Sequence, residues 1–407
     1  MVSVHNDTSR RYVRVRLFSL LFFSFSLAPY SRVISHHAEI VAFSHLVYRF
    51  PDSLLSTNFG IMDGLVAGRS KEEPYINGTA TNGVSNGKKS TSKNPSLESF
   101  APNPALHTDE HHKIYMKESP PLRPTENDCI IHVRANGICG SDLHFWHAGA
   151  IGELEVDQPH CLGHEGAGEI VWTGSAVKNF QIGDRVAIEP GVPCEKCYNC
   201  SVGEYNLCAD VKFSGVPPHT GSIRRYHCHD SRYLHKLPDS LSFTDGALLE
   251  PLSVVAHAFE RSHCRLGEPV LIAGAGPIGL IALAAAKASG AFPIVITDVD
   301  AARLRFAKAF VKECSTLQVP MDKSPEEVAA MIEKEFRDVL SPPPRVSYEC
   351  TGIASSVHTV LYATQRGGEI MIIGVGKKIM DGVPFMHASM AEVCYNERCS
   401  RTRLTSH

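Results

Sequence analysis

Pro269-Val270-Leu271-Ile272-Ala273-Gly274-Ala275-Gly276-Pro277-Ile278-Gly279 decides the fold of this chain. Residues 269–273 are an apolar strand run. Gly274, Gly276 and Gly279 follow in G-x-G-x-x-G spacing, with Pro277 and Ile278 between the last two. Small residues over 280–289, stopped by Gly290, read as a helix. A strand that turns through glycines into a helix offers backbone amides and a helix N-terminus to a pyrophosphate. The next apolar run, 294–297, ends at Asp298, 19 residues after Gly279. A carboxylate there suits a ribose 2′-hydroxyl and repels a 2′-phosphate, which favours NAD over NADP. Arg303, five places on, reads equally as a cofactor contact or a solvated helix residue. Strand runs at 345–350 and 369–373 alternate with amphipathic helices at 301–311 and 325–336. The pattern over 255–393 is that of an α/β, doubly wound parallel sheet.

The preceding stretch, 97–254, has a different character. Short β-rich runs at 129–134, 168–172 and 184–188, separated by turn residues, suggest a small, partly open barrel or sandwich. Within it lies Cys194-x2-Cys197-x2-Cys200-x7-Cys208. Four thiols so close converge on one tetrahedral ion, and four thiolates with no open position describe a structural zinc site. A nucleic-acid-binding zinc ribbon shares this spacing, but the intervening Glu195, Lys196, Tyr198, Asn199 and Glu204 are not basic. A second constellation pairs Gly137-Ile138-Cys139-Gly140-Ser141-Asp142-Leu143-His144 with Gly163-His164-Glu165. Cys139, His164 and Glu165 supply one thiolate, one imidazole and one carboxylate, and three protein ligands leave a fourth position open, as in a catalytic zinc site. Ser141 is placed to take a proton from a reacting hydroxyl and His144 to carry it outward. Asp142 is placed to orient a ligand imidazole.

Length and composition agree with two domains. The chain has 407 residues, 43% apolar and 20% charged, with a net charge of −3, so no basic field marks a nucleic-acid partner. Its 13 cysteines, clustered and odd in number, point to metal before disulfides. Arg10, Arg11, Arg14 and Arg16 precede an apolar run over 17–28, too short to span a bilayer. Residues 1–61 read as a secretory signal or as a leader outside the mature protein, with Met62 as the start. Residues 62–96, rich in Asn, Gly, Ser, Thr and Lys, read as a disordered arm.

From about 97 to 393 the chain resembles the zinc-containing medium-chain alcohol dehydrogenases, in particular their polyol (sorbitol, xylitol, L-arabinitol) branch. The resemblance rests on Gly137–Asp142, Gly163-His164-Glu165, Glu250-Pro251-Leu252-Ser253, Gly274–Gly279 and Glu349-Cys350-Thr351-Gly352. It implies a GroES-like catalytic domain followed by a Rossmann domain, with NAD and two zinc ions, one catalytic and one structural. By resemblance Cys139, His164 and Glu165 hold the catalytic zinc, and Glu250 lies at it directly or through water. Cys194, Cys197, Cys200 and Cys208 match the structural-zinc lobe. Pro277, Ile278, Asp298, Arg303 and Val375 match cofactor contacts, and Phe213 resembles a wall of the polyol pocket. The run 213–226 looks most like fungal L-arabinitol 4-dehydrogenases, which convert L-arabinitol to L-xylulose, with xylitol and sorbitol dehydrogenases close. The family further implies a cytoplasmic homotetramer acting on a small polyol, with no nucleic-acid or membrane partner. After Val393 the resemblance stops. Residues 394–407 read as an unrelated polar tail, so the Rossmann sheet is expected to lack its last strand and to leave 369–376 as an exposed apolar edge. On that expectation the alternatives are a truncated, non-catalytic zinc- and NAD-binding relative or, with a working signal, a secreted zinc- or carbohydrate-binding protein.

Overall fold

The computed structural model describes residues 94–397. The leader, nearly all of the arm, and the tail from 398 onward lie outside the described residues. In the first domain, β1 (Pro104–Thr108) pairs antiparallel with β2 (Ile114–Glu118). The long strand β3 (Asp128–Asn136) leads through the Gly137–Cys139 turn into α1 (Gly140–Ala148). The strand β4 (His160–Cys161) then precedes β5 (Gly166–Thr173), β6 (Arg185–Ile188), β7 (Tyr226–Asp230) and β8 (Leu234–Lys236). β3, β5, β6, β7 and β8 form one five-stranded sheet in the order β7-β3-β5-β6-β8. One face of it buries Cys129, Ile131, Ile170, Val186, Ile188 and Leu234. On β6, Val186 and Ile188 face this core while Ala187 between them packs with Ala167, Leu237 and Ala247 in a second cluster, so the sheet is covered on both faces.

α2 (Leu249–Ser262) carries the chain into the second domain, so the boundary expected at residue 254 falls inside a helix. There β9 (Val270–Ala273), α3 (Pro277–Ala288), β10 (Ile294–Asp298), α4 (Ala301–Phe310) and β11 (Ser315–Gln318) follow in order. α5 (Pro325–Asp338), β12 (Val346–Glu349), α6 (Ala354–Ala363), β13 (Glu369–Ile372) and β14 (Cys394–Glu397) complete the domain. The parallel sheet runs β11-β10-β9-β12-β13-β14. The chain winds outward from β9 to β11, then returns to the other side of β9 at β12. That reversal opens a crevice beyond the carboxyl ends of β9 and β12, where dinucleotides bind in doubly wound sheets. Leu271, Val295, Ile370, Phe336 and Val360 fill one face of the sheet.

One expectation is corrected. β13 is not an open edge, because Cys394–Glu397 pairs with it in parallel register, Ile370 opposite Tyr395 and Met371 opposite Asn396. The ladder is built by main-chain groups, so a polar run with no apolar signature completes it. Buried Val393 and the Cys394 N–H to Gly368 O bond (3.1 Å) lead the chain into register. Among the described residues, no helix is long and apolar enough to cross a membrane.

Candidate active site

α1 and the turn before β5 bring the first donor set together. Cys139 occupies the N-cap of α1, and Asp142, in the first turn, reaches back to accept from the Cys139 N–H (2.9 Å). The other oxygen of Asp142 accepts from the Gly163 N–H (2.9 Å). One buried carboxylate thus locks both ligand-bearing segments. Its Oδ1 lies 3.9 Å from His164 Nδ1, beyond hydrogen-bond length, so Asp142 fixes the backbone on either side rather than holding the imidazole directly. The donor atoms of Cys139, His164 and Glu165 all lie within 4.8 Å of one another. Glu250, in the first turn of α2, is buried beside them but outside that three-donor cluster.

The electrostatics of this cluster call for a cation. Burial pushes the Cys139 thiol up to about 12, helped by the Glu165 and Asp142 carboxylates. Burial likewise pushes Glu165 up to about 7 and Glu250 well above the usual carboxylate range. Burial alone depresses His164, but Asp142, Glu250 and Glu165 outweigh it and raise it. A divalent ion replaces the protons such a set must otherwise hold, and thiolate, imidazole and carboxylate are zinc's ligands. His164 Nδ1 is buried without a hydrogen-bond partner. A Cβ on Gly137 would lie 1.8 Å from Glu165 Oε2, so only glycine leaves room for this carboxylate. The variant Gly137→Ala should therefore displace Glu165 and lower zinc affinity about 10- to 100-fold, read by competition with a chromogenic chelator. Unchanged affinity would remove Glu165 from the donor set.

The remaining expected residues fall around this cluster. The Phe213 ring, buried, stands 5.8 Å from the His164 ring at 57°. Ser141 is half-buried next to the Cys139 thiol, and His144, one turn along α1, is exposed. The second donor set, Cys194, Cys197, Cys200 and Cys208, also lies within 4.8 Å, with Cys208 buried. All four are free thiols. Cys194 is lowered to about 7 by the backbone N–H groups of Lys196 and Cys197, as suits a thiolate ligand.

At the other site, Gly274 has φ +102°, and a Cβ on Gly279 would lie 1.8 Å from Gly274 O, so both positions exclude side chains. Gly276, the N-cap of α3, faces open space, and Pro277 starts the helix. Asp298 accepts from the Ala275 N–H (2.7 Å) and the Asp300 N–H (2.8 Å), tying the glycine loop to the end of β10. Arg303 Nη1 sits 3.7 Å from Asp298 Oδ2, the oxygen that accepts from Ala275. Val375 packs its carbonyl against Gly352, in the loop after β12. The sequence singled out Glu349 only as part of the 349–352 motif, without a role for it. It is fully buried, and it gathers that loop by accepting from Thr351 N (2.9 Å), Gly352 N (2.9 Å) and Ser356 Oγ (2.8 Å).

Comparison with known proteins agrees with this pair of sites. The alcohol dehydrogenase GroES-like domain matches residues 125–239, and the zinc-binding dehydrogenase domain matches 277–401. An L-arabinitol 4-dehydrogenase from Aspergillus oryzae is 46% identical over 306 residues, 72% of this chain and 79% of the relative. This chain belongs to the zinc-binding alcohol dehydrogenase family. Bovine (Bos taurus) sorbitol dehydrogenase is 43% identical over 280 residues, 69% of this chain and 77% of its own. Among solved structures, L-idonate 5-dehydrogenase from Escherichia coli superposes with a TM-score of 0.65 at 28% identity, covering 74% of this chain and 84% of that one. An Escherichia coli oxidoreductase of unknown specificity gives 0.66 at 33% identity, covering 74% and 84%. The chain is thus a zinc-binding dehydrogenase whose relatives include polyol dehydrogenases.

Proposed function

We propose that this protein oxidises one secondary hydroxyl of a polyol to a ketose with NAD, and that L-arabinitol is its preferred substrate. The observation that carries the reading is the thiol–imidazole–carboxylate set of half-buried Cys139 with buried His164 and Glu165, and Phe213 against His164. Cys139, His164 and Glu165 would hold the catalytic zinc, with Glu250 beside it, and the four-thiol lobe the structural zinc. When bound, the metal supplies Lewis acidity at the substrate oxygen and the dinucleotide supplies the hydride acceptor. The chain's own residues do the rest. Ser141 takes the hydroxyl proton and His144, exposed one turn further on, passes it to water. Gly274, Gly276, Pro277, Ile278 and Gly279 cradle the pyrophosphate, Asp298 and Arg303 hold the adenosine ribose, and Val375 meets the nicotinamide end. Glu250 and Phe213 bound the polyol. Free thiols and a nicotinamide-dependent reaction fit a reducing compartment, and we assign the cytoplasm.

The test is a kcat/KM panel of L-arabinitol, xylitol and D-sorbitol with NAD and NADP. L-arabinitol with NAD should rank first and yield a ketose. One hydroxymethyl group separates pentitol from hexitol, so the margin over D-sorbitol should be about 10- to 100-fold. A higher value for xylitol or D-sorbitol moves the assignment to that polyol. Absence of polyol-dependent NADH formation from zinc-loaded protein would overturn it.

A further inference from the structure

The four cysteines lie on a loop that leaves and re-enters the first domain through one short ribbon. Gly191–Val192 pairs antiparallel with Lys212–Phe213, Phe213 opposite Gly191. Phe213 therefore closes the thiol loop at its base and meets His164 on its other side. Two residues before Gly191 stands Glu189, 1% exposed. Its carboxylate accepts from the Tyr205 hydroxyl (2.7 Å), inside the thiol loop, and from His235 Nε2 (2.8 Å) on β8. Its main-chain oxygen accepts from His229 Nε2 (2.8 Å) on β7, and the next carbonyl, Pro190 O, accepts from Ser214 N (2.9 Å). Ser214 directly follows Phe213. Every link is between groups that are buried or half-buried, where an unmade hydrogen bond is costly and two arrangements do not interconvert freely.

We infer that Glu189 is a positioning residue: with Tyr205 it transmits the closed state of the four-thiol lobe to Phe213 and so sets the pocket wall above His164. Cys208, which would be held by a zinc ion in the lobe, donates its N–H to Tyr205 O (3.0 Å), Tyr205 holds the Glu189 carboxylate, and the ribbon beyond Glu189 holds Phe213. The lobe then acts on substrate fit as well as on stability. This deepens the polyol dehydrogenase reading and rests on it for the identity of the substrate.

The experiment uses the full, zinc-loaded protein with para-fluorophenylalanine in place of Phe213. Tyr205→Phe removes one hydroxyl and nothing else. It should raise KM for L-arabinitol about five- to tenfold, the range of one lost buried hydrogen bond. Over the same measurements kcat and the KM for NAD should stay within about twofold. The fluorine resonance should move in the direction seen when Cys197→Ser opens the lobe. With Tyr205 intact, Glu189→Gln, which keeps an oxygen for the Tyr205 hydroxyl, should retain most of the parent KM and fluorine signal, whereas Glu189→Ala should lose both. Tyr198→Phe, an exposed tyrosine on the same loop, should change neither. An unmoved fluorine signal and an unchanged KM in folded Tyr205→Phe would overturn the inference, as would an equal response to Tyr198→Phe. The fluorine arm needs no turnover. If no polyol is oxidised but the signal still follows the lobe, the coupling stands and the proposed reaction fails.

Discussion

Replacing Cys139 by serine should reduce polyol oxidation by about 10³-fold or more, the several kcal/mol a Lewis acid contributes at about 1.4 kcal/mol per decade. Serine is a weak zinc ligand but a good N-cap, so α1 should survive the change. The Asp142 carboxylate still receives the N–H of residue 139 and of Gly163, so the two ligand segments keep their backbone tie. Lost activity can then be read as lost chemistry and not as unfolding. Zinc analysis should show the catalytic ion gone and the ion on Cys194, Cys197, Cys200 and Cys208 retained. NAD should bind as before, since the glycine loop and Asp298 belong to the other domain. Activity within about tenfold of the parent, with zinc content unchanged, would remove Cys139 from the catalytic donor set.

What the sequence made legible and what it concealed divide along one physical line. The glycines at 274, 276 and 279 and the carboxylate at 298 are readable because each answers a local demand: a positive φ, a close approach, a ribose hydroxyl at a fixed number of residues. The metal donors are readable because ligand chemistry restricts both residue type and spacing. Glu189 was invisible because its partners, Tyr205 and His235, are 16 and 46 residues away and only the fold brings them to it. Glu349 bonds locally, but a carboxylate that gathers a loop leaves no periodic pattern. β14 escaped for a third reason. Its pairing with β13 is made by main-chain groups, and a search for apolar alternation passes over residues 394–397.

The second large effect is expected at Asp298. Its two oxygens accept from Ala275 N and Asp300 N, so in Asp298→Ala one backbone donor in the glycine loop and one just after β10 lose their acceptors. At about 1–3 kcal/mol for each donor left unsatisfied, the variant should unfold at lower urea and bind NAD about 10- to 100-fold more weakly. The same change removes the negative charge facing a 2′-phosphate and frees Arg303, now 3.7 Å from that carboxylate, to pair with it. Preference for NAD over NADP, as a ratio of kcat/KM, should fall by about 10²-fold or more. Asp298→Ser separates the two roles, because its hydroxyl can still accept from one backbone N–H while the charge is gone. It should recover stability without recovering the preference. Adding Arg303→Ala to Asp298→Ala should cancel the gain with NADP and deepen the loss with NAD, since Arg303 also faces the adenosine ribose. If the double variant keeps the gain, Arg303 is a solvated helix residue after all, and the discrimination lies in the carboxylate alone.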